Sequence, residues 1–168
     1  MTEKEYYFLP SQPITNTNPF AFNGTLKKIQ ICSNNLFVGL HPDLYETVEQ
    51  RLTILDDGRV WISRYRFNEE LFKFENTKVE RIKISETAVN NIIKSITQCF
   101  SGKNRLKMVG KARGSWKVTL INTEGRAFPY DGFICSKYKI GGSDLSDIIR
   151  KNLGKSDLIV FDGNPNKR

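Results

Sequence analysis

The chain has 168 residues and a mass of 19.3 kDa, a length that suits one domain with a full hydrophobic core. Its composition is 39% hydrophobic and 26% charged, which excludes the disordered, collagen-like and coiled-coil classes. No uninterrupted apolar run approaches the roughly 18 residues of a membrane span, and no signal-peptide pattern is visible at the N-terminus. The three cysteines show no CxxC spacing, as is typical of reduced thiols, so we expect a cytoplasmic protein that does not engage a membrane.

The net charge of +8 belongs entirely to the second half of the chain. Residues 1–84 hold 11 Lys and Arg against 11 Asp and Glu, whereas residues 101–117 hold six cations and no acid. Clustered Lys and Arg bind phosphate backbones by counterion release, although a charged run is also compatible with a solvated loop. The candidate binding residues for an acidic partner are these six cations and two arginines of a predicted strand: Lys103, Arg105, Lys107, Lys111, Arg113, Lys117, Arg64 and Arg66.

The start of the chain is rich in proline and shows no periodicity. Because proline fixes φ and lacks an amide donor, neither a helix nor a central strand fits this segment. We predict an extended N-terminal arm over residues 1–24, followed by a single α+β domain over residues 25–168. The domain begins with a strand, since residues alternate in polarity over Thr25–Ile31.

Two β-hairpins are predicted from turns that contain a glycine with positive φ between β-branched and aromatic runs. The first joins Thr47–Leu55 to Val60–Phe67 through an Asp-Asp-Gly-Arg turn. The second joins Trp116–Ile121 to Arg126–Ile134, where Pro129 indicates an edge strand or a bulge. The likeness of the two hairpins is compatible with a duplicated ββα unit, but generic hairpin composition explains it about as well.

Two amphipathic helices are predicted, capped at their starts by Ser85 and Ser143. Their apolar stripes are Val89, Ile92, Ile93, Ile96 and Phe100 in the first helix, and Leu145, Ile148, Ile149 and Leu153 in the second. Asp147 and Arg150 fall on the outer face of the second helix. The last apolar run, Leu158–Phe161, predicts a buried strand near the sheet centre.

These elements predict the α+β class. We expect a mostly antiparallel sheet built from two hairpins plus a C-terminal strand, with two helices packed on one face. The other face of the sheet would then be available to solvent or to a partner.

Few residues offer catalytic or metal-binding chemistry. His41 is the single histidine, and Cys32, Cys99 and Cys135 are too far apart in sequence for a zinc site. No nucleophile elbow or Walker-type phosphate loop is present. We therefore expect no metal, no cofactor and no catalytic residue, although carboxylate ligands from distant positions could converge.

Aromatic and cationic residues alternate on the predicted strand around Trp61. On the two-residue period, Trp61, Tyr65 and Phe67 share one face, whereas Arg64 and Arg66 share the other. Large rings in strands mostly face the core, so the commoner arrangement buries them beneath the helices and leaves both arginines outside. In the alternative arrangement, the rings and nearby cations form an exposed surface that stacks bases and holds phosphates.

Three function classes follow from these patterns. The leading hypothesis is a non-enzymatic binding module whose basic C-terminal half engages an acidic partner, either nucleic acid or a nucleic-acid-handling protein. The alternative is a small accessory or inhibitor protein, of the kind found on mobile elements, that acts by protein–protein contact. An enzyme comes third, because no nucleophile–base pair or metal constellation is visible.

Overall fold

The computed structural model describes residues 5–7, 21–35, 42, 44–101, 107–109, 114–134, 137–140 and 143–163. In chain order the elements are β1 (Glu5–Tyr7), β2 (Leu26–Asn34), β3 (Glu49–Leu55), β4 (Arg59–Asn68), β5 (Lys73–Lys83), α1 (Glu86–Phe100), β6 (Lys107–Val109), β7 (Ser115–Asn122), β8 (Ala127–Phe133), β9 (Lys137–Ile140), β10 (Ser143–Asp144) and α2 (Leu145–Leu153). Neither helix in this part of the chain has the length and hydropathy needed to cross a membrane.

The main sheet has six antiparallel strands in the spatial order β5-β4-β3-β2-β7-β8. Both predicted hairpins are confirmed, as β3–β4 and β7–β8, and their turn residues Gly58 and Gly125 have φ angles of +90° and +81°. Strand β8 carries Pro129 and lies at one edge, as predicted. The α+β class and the hairpin-built sheet are therefore confirmed.

A second, smaller sheet has the order β1-β6-β9-β10 and was not predicted from the sequence. In it, residues 5–7 of the predicted arm pair with residues 107–109 of the basic stretch. At the other end of the predicted arm, Ala21 and Phe22 are buried in the core of the main sheet. The division into arm and domain, and the duplicated unit, remain predictions.

The helices begin with side-chain caps. The Ser85 hydroxyl accepts a hydrogen bond from the Ala88 amide at 3.1 Å, which confirms the predicted start of α1. Helix α2 is capped by Asp144, whose carboxylate accepts from the Asp147 amide at 3.2 Å. The prediction of Ser143 as the cap is wrong, because Ser143 is held in the β9–β10 pair one residue before the helix turns.

Both helices pack on one face of the main sheet, and aromatic rings form the centre of this core. The ring of Phe100 lies 4.7 Å from that of Tyr130 and 6.3 Å from that of Trp116, measured between centroids. Trp116 also meets Phe161 edge to face at 5.0 Å. Gly132 lies beneath the indole, where a β-carbon would come within 2.5 Å of the ring.

The segment Leu158–Phe161 is buried as predicted, but it forms no strand. Side chains supply hydrogen-bond partners for the backbone of this segment, which we expected a neighbouring strand to supply. The Gln50 amide donates to the Ile159 carbonyl at 2.7 Å and accepts from the Ile159 amide at 3.1 Å, and the Ser146 hydroxyl accepts from the Phe161 amide at 3.2 Å. Buried backbone groups need such partners, and side chains supply them here.

Arg150 is buried, so its predicted position on the outer face of α2 is wrong. Its guanidinium donates to the Leu158 carbonyl at 2.9 Å and to both carboxylate oxygens of Asp162, at 2.8 and 2.5 Å. Asp147 does lie on the outer face, 68% exposed, and pairs with Arg150 at 3.2 Å. The guanidinium therefore joins α2 to the segment that follows it.

Candidate functional site

The two faces of β4 are opposite to the commoner arrangement expected from the sequence. Val60 and Ile62 are almost fully buried and face the helices, whereas Trp61 and Tyr65 are half-buried on the other face. The interpretation that places Trp61, Tyr65 and Phe67 beneath the helices is therefore wrong. Aliphatic side chains fill the core at this strand, and the rings are left outside it.

We call the sheet surface that points away from the helices the open face. Strand register aligns its side chains in rows that cross the sheet. One row runs through Arg81, Trp61, Thr53, Gln30 and Thr119, and the next runs through Val79, Ser63, Arg51, Cys32 and Lys117. Residues from five strands thus form one continuous surface.

Each of the two central rings on the open face has an arginine beside it. The Arg51 guanidinium lies 4.6 Å from the centroid of the Tyr65 ring, and that of Arg59 lies 5.7 Å from the Trp61 ring. Glu49 holds Arg51 in place through an ion pair of 3.0 Å. Both distances fall within the range of cation–π attraction, so each guanidinium lies over its ring.

Cations outnumber acids at the open-face strand positions that the structure describes. These positions carry two carboxylates, Glu49 and Asp131, of which Glu49 already pairs with Arg51. The cations are Lys28, Arg51, Arg59, Arg81, Lys83 and Lys117. The surface is therefore net positive and suited to an anionic partner.

Arg64 and Arg66, which the sequence nominated as binding residues, lie on the helix side of β4. Arg64 pairs with Asp157 at 2.7 Å and with Glu80 at 3.6 Å. Arg66 pairs with Glu75 at 2.5 Å. Both guanidinium groups therefore pair with acids away from the open face, and neither contributes to that face.

The other nominated residues are distributed differently. Lys117 is exposed on the open face, opposite Cys32 in register. Lys107 lies in β6, opposite Lys139 of β9. Four of the predicted binding residues fall outside the described residues, namely Lys103, Arg105, Lys111 and Arg113. A binding role for the basic stretch stays a prediction.

The sequence patterns did not predict Lys28, Arg51, Arg81 and Lys83 as members of this surface. A usable signal was present, because the Asp-Asp-Gly turn sets the register of β3 against β4 and places Arg51 opposite Ser63. The position of Lys28 depends on a pairing with the distant strand β7, which no short-range pattern encodes. Arg81 pairs with Trp61 of the preceding strand, and a bulge in β5 shifts that register.

Cys32 lies at the centre of the open face and is half-buried. Burial raises the pKa of its thiol above the ordinary value, and the Glu49 carboxylate raises it further. The thiol is accordingly protonated at neutral pH, and a protonated thiol is a poor nucleophile.

Three carboxylates, those of Asp144, Asp147 and Asp162, approach within 4.8 Å of one another on the helix side. Carboxylate oxygens at this spacing are able to ligate a hard cation. Arg150 donates to both Asp147 and Asp162, so a guanidinium already supplies positive charge to the group. The absence of a metal stays a prediction.

Comparison with known protein families, with curated proteins and with solved structures finds no match to this chain.

Proposed function

We propose that this protein binds single-stranded nucleic acid on the open face of its main sheet. The observation that carries the proposal is the pairing of half-buried rings on the open face with planar cations, Tyr65 with Arg51 and Trp61 with Arg59. Rings and guanidinium planes stack on unpaired bases, and the surrounding lysines and arginines attract phosphates.

The spacing along β4 suits an extended strand of nucleotides. Trp61 and Tyr65 are four residues apart on one strand, which separates their α-carbons by about 13 Å. Ser63 lies between them on the same face and leaves the surface low at that point. A broad sheet of this kind does not enter a duplex groove, so unpaired bases are the better ligand.

The charge asymmetry of the chain adds support. Lys117 is the last cation of the acid-free stretch over residues 101–117, and its side chain is exposed on β7 within the open face. The basic stretch therefore enters this surface at β7. Phosphates bound there would lie on the same row of side chains as Arg51.

The test is fluorescence polarisation with labelled single-stranded and duplex oligonucleotides of mixed sequence. Trp61→Ala should weaken binding of the single strand by roughly 5-fold to 100-fold, the worth of one stacked base. Tyr45→Ala is the matched control, since Tyr45 is an exposed ring beside an arginine, Arg66, that lies on the helix side of β4. Its affinity should equal that of the unaltered chain.

Two outcomes contradict the proposal. The first is an unaltered chain that binds no oligonucleotide at low salt, a result that favours the protein-contact alternative. The second is oligonucleotide binding that Trp61→Ala and Arg51→Ala leave unchanged while the proteins stay folded, which places the site elsewhere.

A further inference from the structure

Among the residues that the structure describes, strand β5 forms a free edge of the main sheet, opposite the proline-bearing edge β8. It is 11 residues long, contains no proline and is exposed along most of its length. Phe74 and Val79 on this strand are 36% and 53% exposed, and Phe72 just before it is 84% exposed. An open edge with unpaired backbone groups and apolar side chains is a template for another strand.

A bulge divides β5 into two halves. The β4–β5 register shifts between Arg64 and Tyr65, which pair with Lys78 and Asn76 and leave Thr77 as the extra residue. Phe74 lies below the bulge and Val79 lies above it, and both side chains are on the open face. Open-face residues of β5 are therefore even-numbered below the bulge and odd-numbered above it. In an antiparallel pair, opposite side chains must point to the same face of the sheet. For a residue below the bulge and a residue above it, this requires that the two residue numbers add up to an odd number.

The backbone N–H and C=O groups of β5 also alternate in direction, and this alternation also shifts at the bulge. The Ile84 amide donates to the Gly58 carbonyl at 2.9 Å, so even-numbered residues of the upper half direct their backbone groups to β4. Val79 therefore directs its amide and carbonyl to the free edge. The alternation shifts at the bulge, and Phe74 directs its groups to the same edge.

We propose that β5 pairs antiparallel with β5 of a second copy of this chain, with Phe74 opposite Val79 of that copy. In this register every charged residue of the overlap, residues 73–80, meets an opposite charge. Lys73 faces Glu80, and Glu75 faces Lys78. Two-fold symmetry repeats each pair.

Neighbouring registers that keep the faces matched are penalised. A shift of two residues one way sets Lys73 against Lys78, and a shift the other way sets Glu75 against Glu80. Like charges directly opposite each other destabilise a strand pair. Lysines and a bulge usually keep an edge from pairing, whereas here they select one register.

Apolar contact and the backbone ladder supply the affinity, because exposed ion pairs contribute little each and mainly choose the register. The Phe74 ring already packs against the ring of Phe67, with centroids 5.2 Å apart and planes tilted by 58°, so Phe74 is partly ordered before association. Val79 of the second copy would cover its free side. The two open faces would then form one surface of twelve strands.

The first test is the molar mass of the full chain by light scattering, without nucleic acid. We expect a mass near twice 19.3 kDa at micromolar concentration, falling toward the monomer on dilution. A monomer at every concentration up to the solubility limit would overturn the inference. This readout is separate from oligonucleotide binding, so either proposal can fail alone.

The second test probes the register with Lys78→Glu and Glu75→Lys. Each variant alone places like charges opposite each other twice and should be monomeric. Mixed together, the two chains restore opposite charges at both positions and should form a heterodimer. Variants that dimerise alone, or a mixture that stays monomeric, would overturn the register.

A cysteine cross-link covers the case in which a charge variant fails to fold. Chains carrying Phe74→Cys and Val79→Cys together should form a disulfide-linked dimer on mild oxidation, because the two positions face each other across the interface. Phe74→Cys alone is the matched control, since its copies would lie five residues apart in the ladder. Equal cross-linking of both proteins contradicts the proposed pairing.

Discussion

The guanidinium of Arg150 and the carboxylate of Asp162 face each other edge to edge, with two hydrogen bonds of 2.8 and 2.5 Å inside the protein. Burial disfavours the Arg150 charge, but Asp162 outweighs that effect and the pKa of the guanidinium lies above its ordinary value. The Arg150 guanidinium also donates a hydrogen bond to the Leu158 carbonyl, so the pair fixes the path of the buried segment after α2.

Asp162→Asn should therefore destabilise the protein strongly, because it removes the buried counter-charge of the guanidinium and leaves the exposed Asp147 as its remaining acidic partner. We expect a loss of about 3–5 kcal/mol in the free energy of unfolding, measured by urea denaturation. Asp147→Asn is the control, since that carboxylate is exposed and its pair should contribute about 0–1 kcal/mol. Equal losses in the two variants would show that burial of the pair is not what matters.

Gly132→Ala should disturb the aromatic core. The new β-carbon would lie 2.5 Å from the buried Trp116 ring, which has no room to retreat between Phe100 and Phe161. Overpacking of this kind costs about 1–3 kcal/mol, and the tryptophan emission spectrum should shift as the ring moves. The neighbouring exposed substitution Pro129→Ala should leave both the denaturation midpoint and the emission unchanged.

Stability should fall at acid pH through Glu80. Its carboxylate pairs with Lys155 at 2.7 Å and with Lys78 at 3.2 Å, and the Lys155 bond is the main reason its pKa is lowered from 4.5. A lowered pKa in the folded state gives stability that is present above pH 4.5 and is lost as pH falls through the folded value.

Denaturation midpoints measured from pH 6 down to about pH 3 check this expectation, within the window that the lowered pKa defines. Glu80→Gln should be less stable at pH 6 and should lose less stability on acidification than the unaltered protein does. Parallel curves for the two proteins would assign the acid sensitivity to other carboxylates.

Oligonucleotide binding should depend on salt through the open-face lysines. Lys117→Ala and Lys28→Ala should each lower the slope of log Kd against log salt by about 1, the value for one lost phosphate contact. Lys94→Ala is the matched control, because Lys94 is exposed on α1, on the helix side of the sheet. A control that lowers the slope as much would point to diffuse charge attraction and not to a defined surface.

Local chemistry predicted the elements that depend on it. The two glycine turns and the Ser85 cap each act within a few residues, so their sequence patterns were sufficient. The fold could be assigned to the α+β class for the same reason. The pairing of β2 with β7 joins segments far apart in the chain, and no short-range pattern specifies it.

The buried face of α2 shows why the position of Arg150 was not predictable. The predicted apolar stripe contains Leu145, Ile148, Ile149 and Leu153, of which Ile148 is half-buried and the other three are buried. Ser146 and Arg150 share that face because their side chains bond the backbone of the segment after the helix. Hydrophobic periodicity counts apolar residues only, and so it misses a polar residue whose partner is a distant main-chain atom.

The aromatic face of β4 could not be assigned from the sequence for a related reason. A period of two separates Trp61 and Tyr65 from Val60 and Ile62 but does not say which set meets the helices. The choice depends on which neighbouring strands present aliphatic side chains to that layer. Leu52 and Ile54 of β3 do so, and the rings consequently remain outside.

The Gln50 amide forms its hydrogen bonds with Ile159 across a sequence separation of 109 positions. Contacts at that separation carry a large loop-closure entropy and are typically made late, which slows the acquisition of the native state. We expect refolding to include a slow kinetic phase. Gln50→Ala should chiefly increase the unfolding rate, since a bond formed after the rate-limiting step of folding stabilises only the final structure.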